Sequence, residues 1–353
     1  MTRLLGLLIA FVFILLAALG VAGYYLWNSL SVSHAHGKSE KIISVSRGQS
    51  TDHVISTLEQ EGILESKLPL RLYLKLQKPS LVVRTGDYRF PSPVTPLQVL
   101  EILARGGEEH GRLTVVEGWT IFDIARAMAA IPSLKISEKE ALALLKETSS
   151  IKDIDPGAAN LEGYLFPDTY FVQLDTTAPE LVRSMVSRFK SVWSKHLEKT
   201  ARAASIPAHQ VVTAASVIET EAKLASERPL VASVIYNRLR KGIKLSMDST
   251  VVYASKLAGK WKDDGIVYKS DLDLNSPYNT RKYRGLPPGP VGNPGLSSLK
   301  AALAPASTNY IYYVRDPDRN DGAHSFFANS SDFDKAVKKL RDWEERQRKA
   351  GLR

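Results

Sequence analysis

The sequence predicts an α+β protein: a mixed α+β ectodomain carried on a single N-terminal transmembrane helix. Three observations predict it. The N-terminus is a long uncharged apolar run, a strand–turn–helix pattern occurs twice, and the C-terminal half mixes buried-helix periodicity with short aromatic strands. A chain of 353 residues is too long for one small core and suits two or three compact units. With 44% hydrophobic and 24% charged residues, disorder is a poor description of most of it. The absence of cysteine excludes a disulfide framework, thiol nucleophiles and thiolate metal sites.

The net charge of +10 favours anionic partners: nucleic acid, lipid headgroups or an acidic cell-wall polymer. No nucleic-acid-binding module is recognisable, so nucleic acid is not an expected partner. Part of the excess lies in Lys335–Arg353, where eight basic residues stand against three acidic ones. Ala336, Leu340 and Trp343 share one face there, which predicts a solvated helix rather than a binding site.

Leu4–Leu26 contains no charged residue. A bilayer core of ~30 Å needs about 20 apolar residues at helical rise, so the run is long enough to span. The rival is a cleaved signal peptide, with a small-residue site among Ala17, Ala18, Gly20, Ala22 and Gly23. Signal h-regions run about 7–15 residues, shorter than this one. Tyr24, Tyr25 and Trp27 also form an aromatic group of the kind that anchors at an interface. Either way the rest of the chain is expected outside the cytoplasm.

Residues 27–40 are polar and small and read as a tether. His34 and His36 within it are read as incidental. Beyond it, Val45-Ser-Arg-Gly48-Gln-Ser50 and Val115-Val-Glu-Gly118-Trp-Thr120 repeat one another, each followed by a helical apolar period. Each predicts a strand, a Gly turn, a Ser/Thr cap and an amphipathic helix. This unit resembles the LysM-like βα element, a glycan-recognising fold, and equally fits a generic α+β scaffold. Between the copies, Leu70–Leu76 reads as a helix, Asp87–Phe90 as a strand and Leu97–Ala104 as a helix. The reading divides the chain into residues 1–3 (cytoplasmic), 4–26 (transmembrane), 27–40 (tether), 41–155 (LysM-like α/β region) and 156–353 (mixed α+β catalytic domain).

Thr177–Ser205 reads as helical and Pro207 ends it. Gln210–Leu224 then has no interior Gly or Pro and is apolar on nearly every side, which marks a buried helix. Two carboxylates, Glu219 and Glu221, interrupt it. At i, i+2 they point ~200° apart and cannot form one paired site. Burial raises a carboxyl pKa toward neutrality, the state a general acid needs. The alternative for Glu219 is a structural ion pair with Lys223 at i, i+4. Periodicity does not separate Glu219 from Glu221. Downstream, Tyr310–Arg315 and Ala323–Phe327 read as paired strands around Asp316–Gly322.

The run Ala215-Ser-Val-Ile-Glu219-Thr-Glu221-Ala222 resembles the signature of the YceG-like (MltG-type) endolytic murein transglycosylases. So do Ala225–Arg228, Val231–Leu239, Leu245–Val251, Tyr278–Thr280, Gly285–Gly289, Asn293–Gly295, His324–Phe326, Glu162–Tyr164 and Phe166–Tyr170. The resemblance implies that Glu219 is the single general acid/base. It protonates the oxygen leaving C1 of N-acetylmuramic acid and then takes the proton from that sugar's 6-hydroxyl, closing a 1,6-anhydro ring. The nucleophile is intramolecular, so proximity replaces an activated water. The activity expected is therefore that of a lytic transglycosylase, a carbon–oxygen lyase, cutting within nascent strands and terminating their elongation.

Asp248, Tyr278, Asn279 and Thr280 are expected to bind substrate, and Glu221 to orient it or serve structure. His324 is the weakest of the site candidates. No cofactor and no metal are expected. Expected partners are peptidoglycan glycan strands, the inner membrane and peptidoglycan synthases, with the catalytic domain in the periplasm. Two rivals stay open: a non-catalytic wall-binding scaffold, and a hydrolytic muramidase, which needs a second carboxylate near Glu219.

Overall fold

A computed structural model describes residues 2–45, 49–76, 83–84, 86–107, 111–173, 176–319 and 321–350. Contacts divide the chain into two units: Met1–Gly111 with Phe171–Asp175, and Arg112–Tyr170 with Thr176–Arg353. The two repeated stretches therefore fall in different units.

The first unit opens with α1 (Thr2–Ser31). Thirty residues at helical rise measure ~45 Å, more than a bilayer core. The stretch Phe11–Ser31 is long and apolar enough to cross a membrane. Phe11, Phe13 and Ile14 are exposed, whereas Leu30 is buried and Leu26 half-buried at the other end. Leu26 and Leu30 pack on a core that includes Ile43, Val54, Leu58, Leu70, Tyr88 and Leu103. The last turns of α1 are thus part of a folded unit.

That unit is completed by β1 (Ile43–Val45), α2 (Thr51–Gln60), α3 (Leu68–Leu76), β2 (Gly86–Tyr88) and α4 (Pro96–Arg105). β1 and β2 pair antiparallel, with Ile43 opposite Tyr88. Ser50 caps α2 as its sequence predicts, accepting the His53 N–H at 3.2 Å. The Gly48 turn of the first repeat lies outside the described residues. α4 starts with a reciprocal box in which Thr95 and Gln98 satisfy each other's backbone N–H groups.

The expected tether needs correction. Asn28–Ser31 complete α1, and His34 exchanges both backbone hydrogen bonds with Val94, at 2.8 and 3.0 Å. His36 receives support from the same segment, its N–H donating to Ser92 Oγ at 2.8 Å. A polar, small-residue composition predicted flexibility, but the backbone pairing that pins it comes from Val94, 60 positions after His34.

Two short strands, β3 (Gly111–Thr114) and β4 (Thr169–Val172), run across the division between the units, and the second unit contains α5 (Ile121–Ala129), α6 (Glu138–Leu144), α7 (Ala178–His196), α8 (Glu198–Ala203) and α9 (Ala208–Glu221). These are followed by α10 (Arg228–Arg240), α11 (Asp248–Leu257), α12 (Lys269–Leu272), α13 (Leu296–Leu303), β5 (Tyr312–Arg315), β6 (His324–Phe327) and α14 (Ser330–Lys349). The predicted single helix over 177–205 is broken at Leu197, whose side chain turns into the core. β5 and β6 form the expected hairpin, with Arg315 opposite His324. α14 lays Phe333 on Tyr312 and Trp343 under Arg315.

At the centre lies α9. Every residue from Val211 to Ile218 is buried, and the helix packs against α10, α11 and α13. A helix apolar all round requires such enclosure. It ends earlier than its composition suggests, since Ala222 is already extended (φ −112°, ψ 109°). Glu219 therefore sits in the last turn, where side chains reach past the helix end.

Candidate active site

Asn293 assembles the site. It is fully buried, and every polar group of its side chain is used. Its Nδ2 donates to the Trp119 carbonyl at 2.9 Å and to Glu162 Oε1 at 3.0 Å, while its Oδ1 accepts the Leu165 N–H at 2.9 Å. Its backbone N–H donates to the Trp119 carbonyl, and its carbonyl accepts the Gly118 N–H, both at 2.8 Å. The turn of the second repeat is thereby fastened to the Asn293-Pro-Gly295 turn. Glu162 Oε2 also accepts the Ile121 N–H at 3.0 Å, tying in the start of α5. Complete burial pushes the Glu162 carboxyl up to about 8.

The turn that carries Glu162 depends on Gly163, at φ +86°. A Cβ there would fall 2.6 Å from Val212 of α9 and 2.7 Å from Pro290. Glycine is thus required both by the backbone and by the closeness of the helix.

These turns converge on Glu219. Its side chain is only 4% exposed, and one oxygen accepts the Gly295 N–H at 2.8 Å. Gly295 is the N-cap of α13, so the carboxylate faces the positive end of that helix. The other oxygen accepts from Arg228 Nη2 at 2.5 Å. The same guanidinium nitrogen donates to Glu117 Oε2 at 3.2 Å. Arg228 thus joins two carboxylates, one buried and one 46% exposed. A Cβ on Gly295 would lie 1.8 Å from Glu117 Oε1, so the second carboxylate is packed directly on this turn.

Burial raises the Glu219 carboxyl above the ordinary carboxylate range. The Gly295 N–H and the Arg228 charge pull it down, and the Glu117 charge pushes it up. The result is an acid more easily protonated near neutrality, in a setting prepared to stabilise its anion once the proton has left. The ion pair to Lys223 anticipated as a structural alternative is replaced by the one to Arg228.

The other predicted residues fall in separate groups. Glu221 points to the opposite side of α9, as its spacing requires, and accepts from Ser249 Oγ at 2.9 Å and Tyr313 O–H at 2.7 Å. Asp248, next to Ser249 at the start of α11, is held by Arg281 at 2.5 Å and remains more than half exposed. Tyr278 leans on Tyr253, with ring centres 5.0 Å apart, and its hydroxyl lies against Gly289. His324 donates its backbone N–H to Glu227 at 2.7 Å and places Nδ1 2.8 Å from the same carboxylate.

Asn279 and Thr280 are a correction. Both are buried, with their polar atoms committed inside the protein. Asn279 Nδ2 donates to the carbonyls of Leu272 and Leu274, and Thr280 Oγ1 meets Thr250 and the Met247 N–H. They shape the loop instead of offering hydrogen bonds to a sugar. Asn279→Ala takes the donor from two part-buried carbonyls and should cost about 1–3 kcal/mol, read from the denaturation midpoint.

Sequence reasoning missed the roles of Arg228, Glu117 and Glu162. One signal was present for Glu117. Where the repeats align, Arg47 stands in the first copy and Glu117 in the second, a reversal of charge at the residue before the turn glycine.

A profile of the YceG-like family matches residues 43–339, well over half of the chain. The chain belongs to the YceG-like family. An endolytic murein transglycosylase of Bacillus subtilis is 32% identical over 340 residues, covering 90% of each chain. An endolytic murein transglycosylase of Streptococcus pneumoniae is 27% identical, and this chain spans 62% of its length. A crystal structure of a yceG-like protein from Listeria monocytogenes superposes with a TM-score of 0.57 at 27% identity, covering 83% of this chain and 97% of that one. Among the described residues no cluster of His, Asp and Glu suits a metal ion.

Proposed function

We propose that this YceG-like protein is a peptidoglycan lytic transglycosylase in which Glu219 acts first as general acid and then as general base. The observation that carries the assignment is the Glu219 carboxyl itself: nearly buried, raised in pKa, and held between the Gly295 N–H and Arg228. Protonated Glu219 gives its proton to the glycosidic oxygen as the bond to C1 of N-acetylmuramic acid breaks. The carboxylate, now stabilised by Gly295 and Arg228, accepts the proton of the 6-hydroxyl as O6 bonds to C1. One residue serves both steps and finishes protonated, so no water is consumed. The similarity to endolytic murein transglycosylases supports the substrate and cutting within strands. Release of anhydro-ended fragments from purified peptidoglycan, absent with Glu219→Gln, tests the assignment.

A hydrolytic reading has one observation in its favour, since Glu117 is a second carboxylate close by. Against it, Glu117 is bound to the same arginine as Glu219. Hydrolases place their two carboxyls on opposite flanks of the bond, about 5–9.5 Å apart, with one free to attack or to activate water. In the account favoured here Glu117 sets the acidity of Glu219. Glu117→Gln removes a negative charge that raises the Glu219 pKa and frees Arg228 to serve Glu219 alone. Both effects lower that pKa, so the alkaline limb of kcat/KM, where the acid loses its proton, should move to lower pH. Arg228→Met should move it to higher pH. A pH–rate profile of the two variants checks both signs.

The apolar length of α1 supports anchoring in the inner membrane, with both units on the periplasmic side. Asp248 and Tyr278 are exposed or half-exposed and suit contact with the glycan, whereas Glu221 is better placed to position Tyr313 and Ser249. A glycan-binding role for the LysM-like repeats rests on their sequence pattern. The second copy has a further use, because its turn carries Glu117 and Gly118 to the catalytic carboxyl.

A further inference from the structure

The helix α3 is apolar on two opposite sides. Leu70, Tyr73 and Leu74 face the core of the first unit. Leu68, Leu72 and Leu76 recur at i, i+4 and i+8 and are 67%, 48% and 67% exposed. At 100° per residue these three span only ~80°, directly opposite the buried set. Single exposed leucines are ordinary, but an aligned stripe on one short helix calls for an apolar partner. Lys75 lies beside the stripe in the last turn.

The position of α3 identifies that partner. α3 packs against α1, and among the described residues α1 enters the unit's core through its last turns, at Leu26 and Leu30. Tyr24, Tyr25 and Trp27, all more than 60% exposed, occupy the same stretch of α1 and mark the level of a membrane interface. A helix that touches α1 there lies beside the headgroups, with its leucine stripe exposed and a cation at its edge.

We propose that the Leu68–Leu72–Leu76 face of α3 lies in the outer surface of the bilayer, giving the first unit a second lipid contact beside α1. This rests on the reading of α1 as a membrane anchor. Two contacts fix the orientation of the unit on the membrane, where a single helix would let it swivel.

The absence of native cysteine makes site-directed spin labelling direct. Full-length protein in phosphatidylethanolamine–phosphatidylglycerol vesicles would carry one label at Leu68→Cys, Leu72→Cys or Leu76→Cys. Leu16→Cys reports on the anchor, and Gln60→Cys, exposed on α2, on water. The three α3 labels should be accessible to oxygen and shielded from a water-soluble nickel complex, at a depth of about 5–10 Å. Gln60 should report water and Leu16 the bilayer interior. If Leu16 reports lipid and α3 reports water, the proposal is wrong while the anchor stands. If α3 is shielded from both reagents, the stripe meets protein and the proposal is likewise overturned. A label at Leu16 in water removes the anchor and the proposal together.

Discussion

Glu219→Gln should lower the rate of glycan cleavage by about 10²–10⁴-fold, the worth of a general acid/base. The loss is expected at the top of that range because one group performs both proton transfers. It should appear in kcat, with KM little changed, since proton transfer occurs only as bonds break. The fold should survive. The amide keeps an acceptor for the Gly295 N–H, and Arg228 retains Glu117 as its counter-ion. Removing a buried charge of raised pKa also removes a desolvation penalty, so thermal stability should hold or rise. Rate assays on insoluble peptidoglycan beside a thermal melt separate loss of chemistry from loss of structure.

Gly163→Ala should be strongly damaging to the second unit. The methyl meets Val212 at 2.6 Å and Pro290 at 2.7 Å, and φ +86° is unfavourable for any residue with a Cβ. Overpacking of this kind costs about 1–3 kcal/mol and the backbone strain about 1 more. The total is a large share of a typical domain stability of about 5–15 kcal/mol. Both neighbours matter to the site: Val212 belongs to the helix bearing Glu219, and Pro290 to the segment leading to Asn293 and Gly295. Activity should therefore fall along with the denaturation midpoint. Gly62→Ala is the control, at φ +74° with nothing within 4 Å of its Cβ, and should cost only the backbone strain.

What could be read in advance follows physical range. Caps and periods act over three or four residues, and Ser50, Thr120 and the buried run of α9 all appear where their patterns place them. The opposed directions of Glu219 and Glu221 are helix geometry and needed no tertiary information. The clamp on Glu219 is different. Arg228 is nine residues away, Gly295 is 76 and Glu117 more than a hundred, and no local signal joins them. Asn279 and Thr280 show the complementary error, because polar residues in a motif were read as ligand donors when neighbouring backbone and side-chain groups of the protein take up their hydrogen bonds. The supposed tether failed for the same reason, its backbone partner at Val94 being remote in sequence.

The central claim is that the 6-hydroxyl of the substrate, and not water, attacks C1. Mass spectrometry of peptidoglycan digested by the full-length protein in heavy-oxygen water tests it most directly. The account predicts fragments ending in 1,6-anhydro-N-acetylmuramic acid, lighter than the hydrolysis products by one water and carrying no heavy oxygen. Reducing ends labelled with heavy oxygen would contradict it, and would turn Glu117 from a residue that tunes Glu219 into the second carboxylate of a hydrolase.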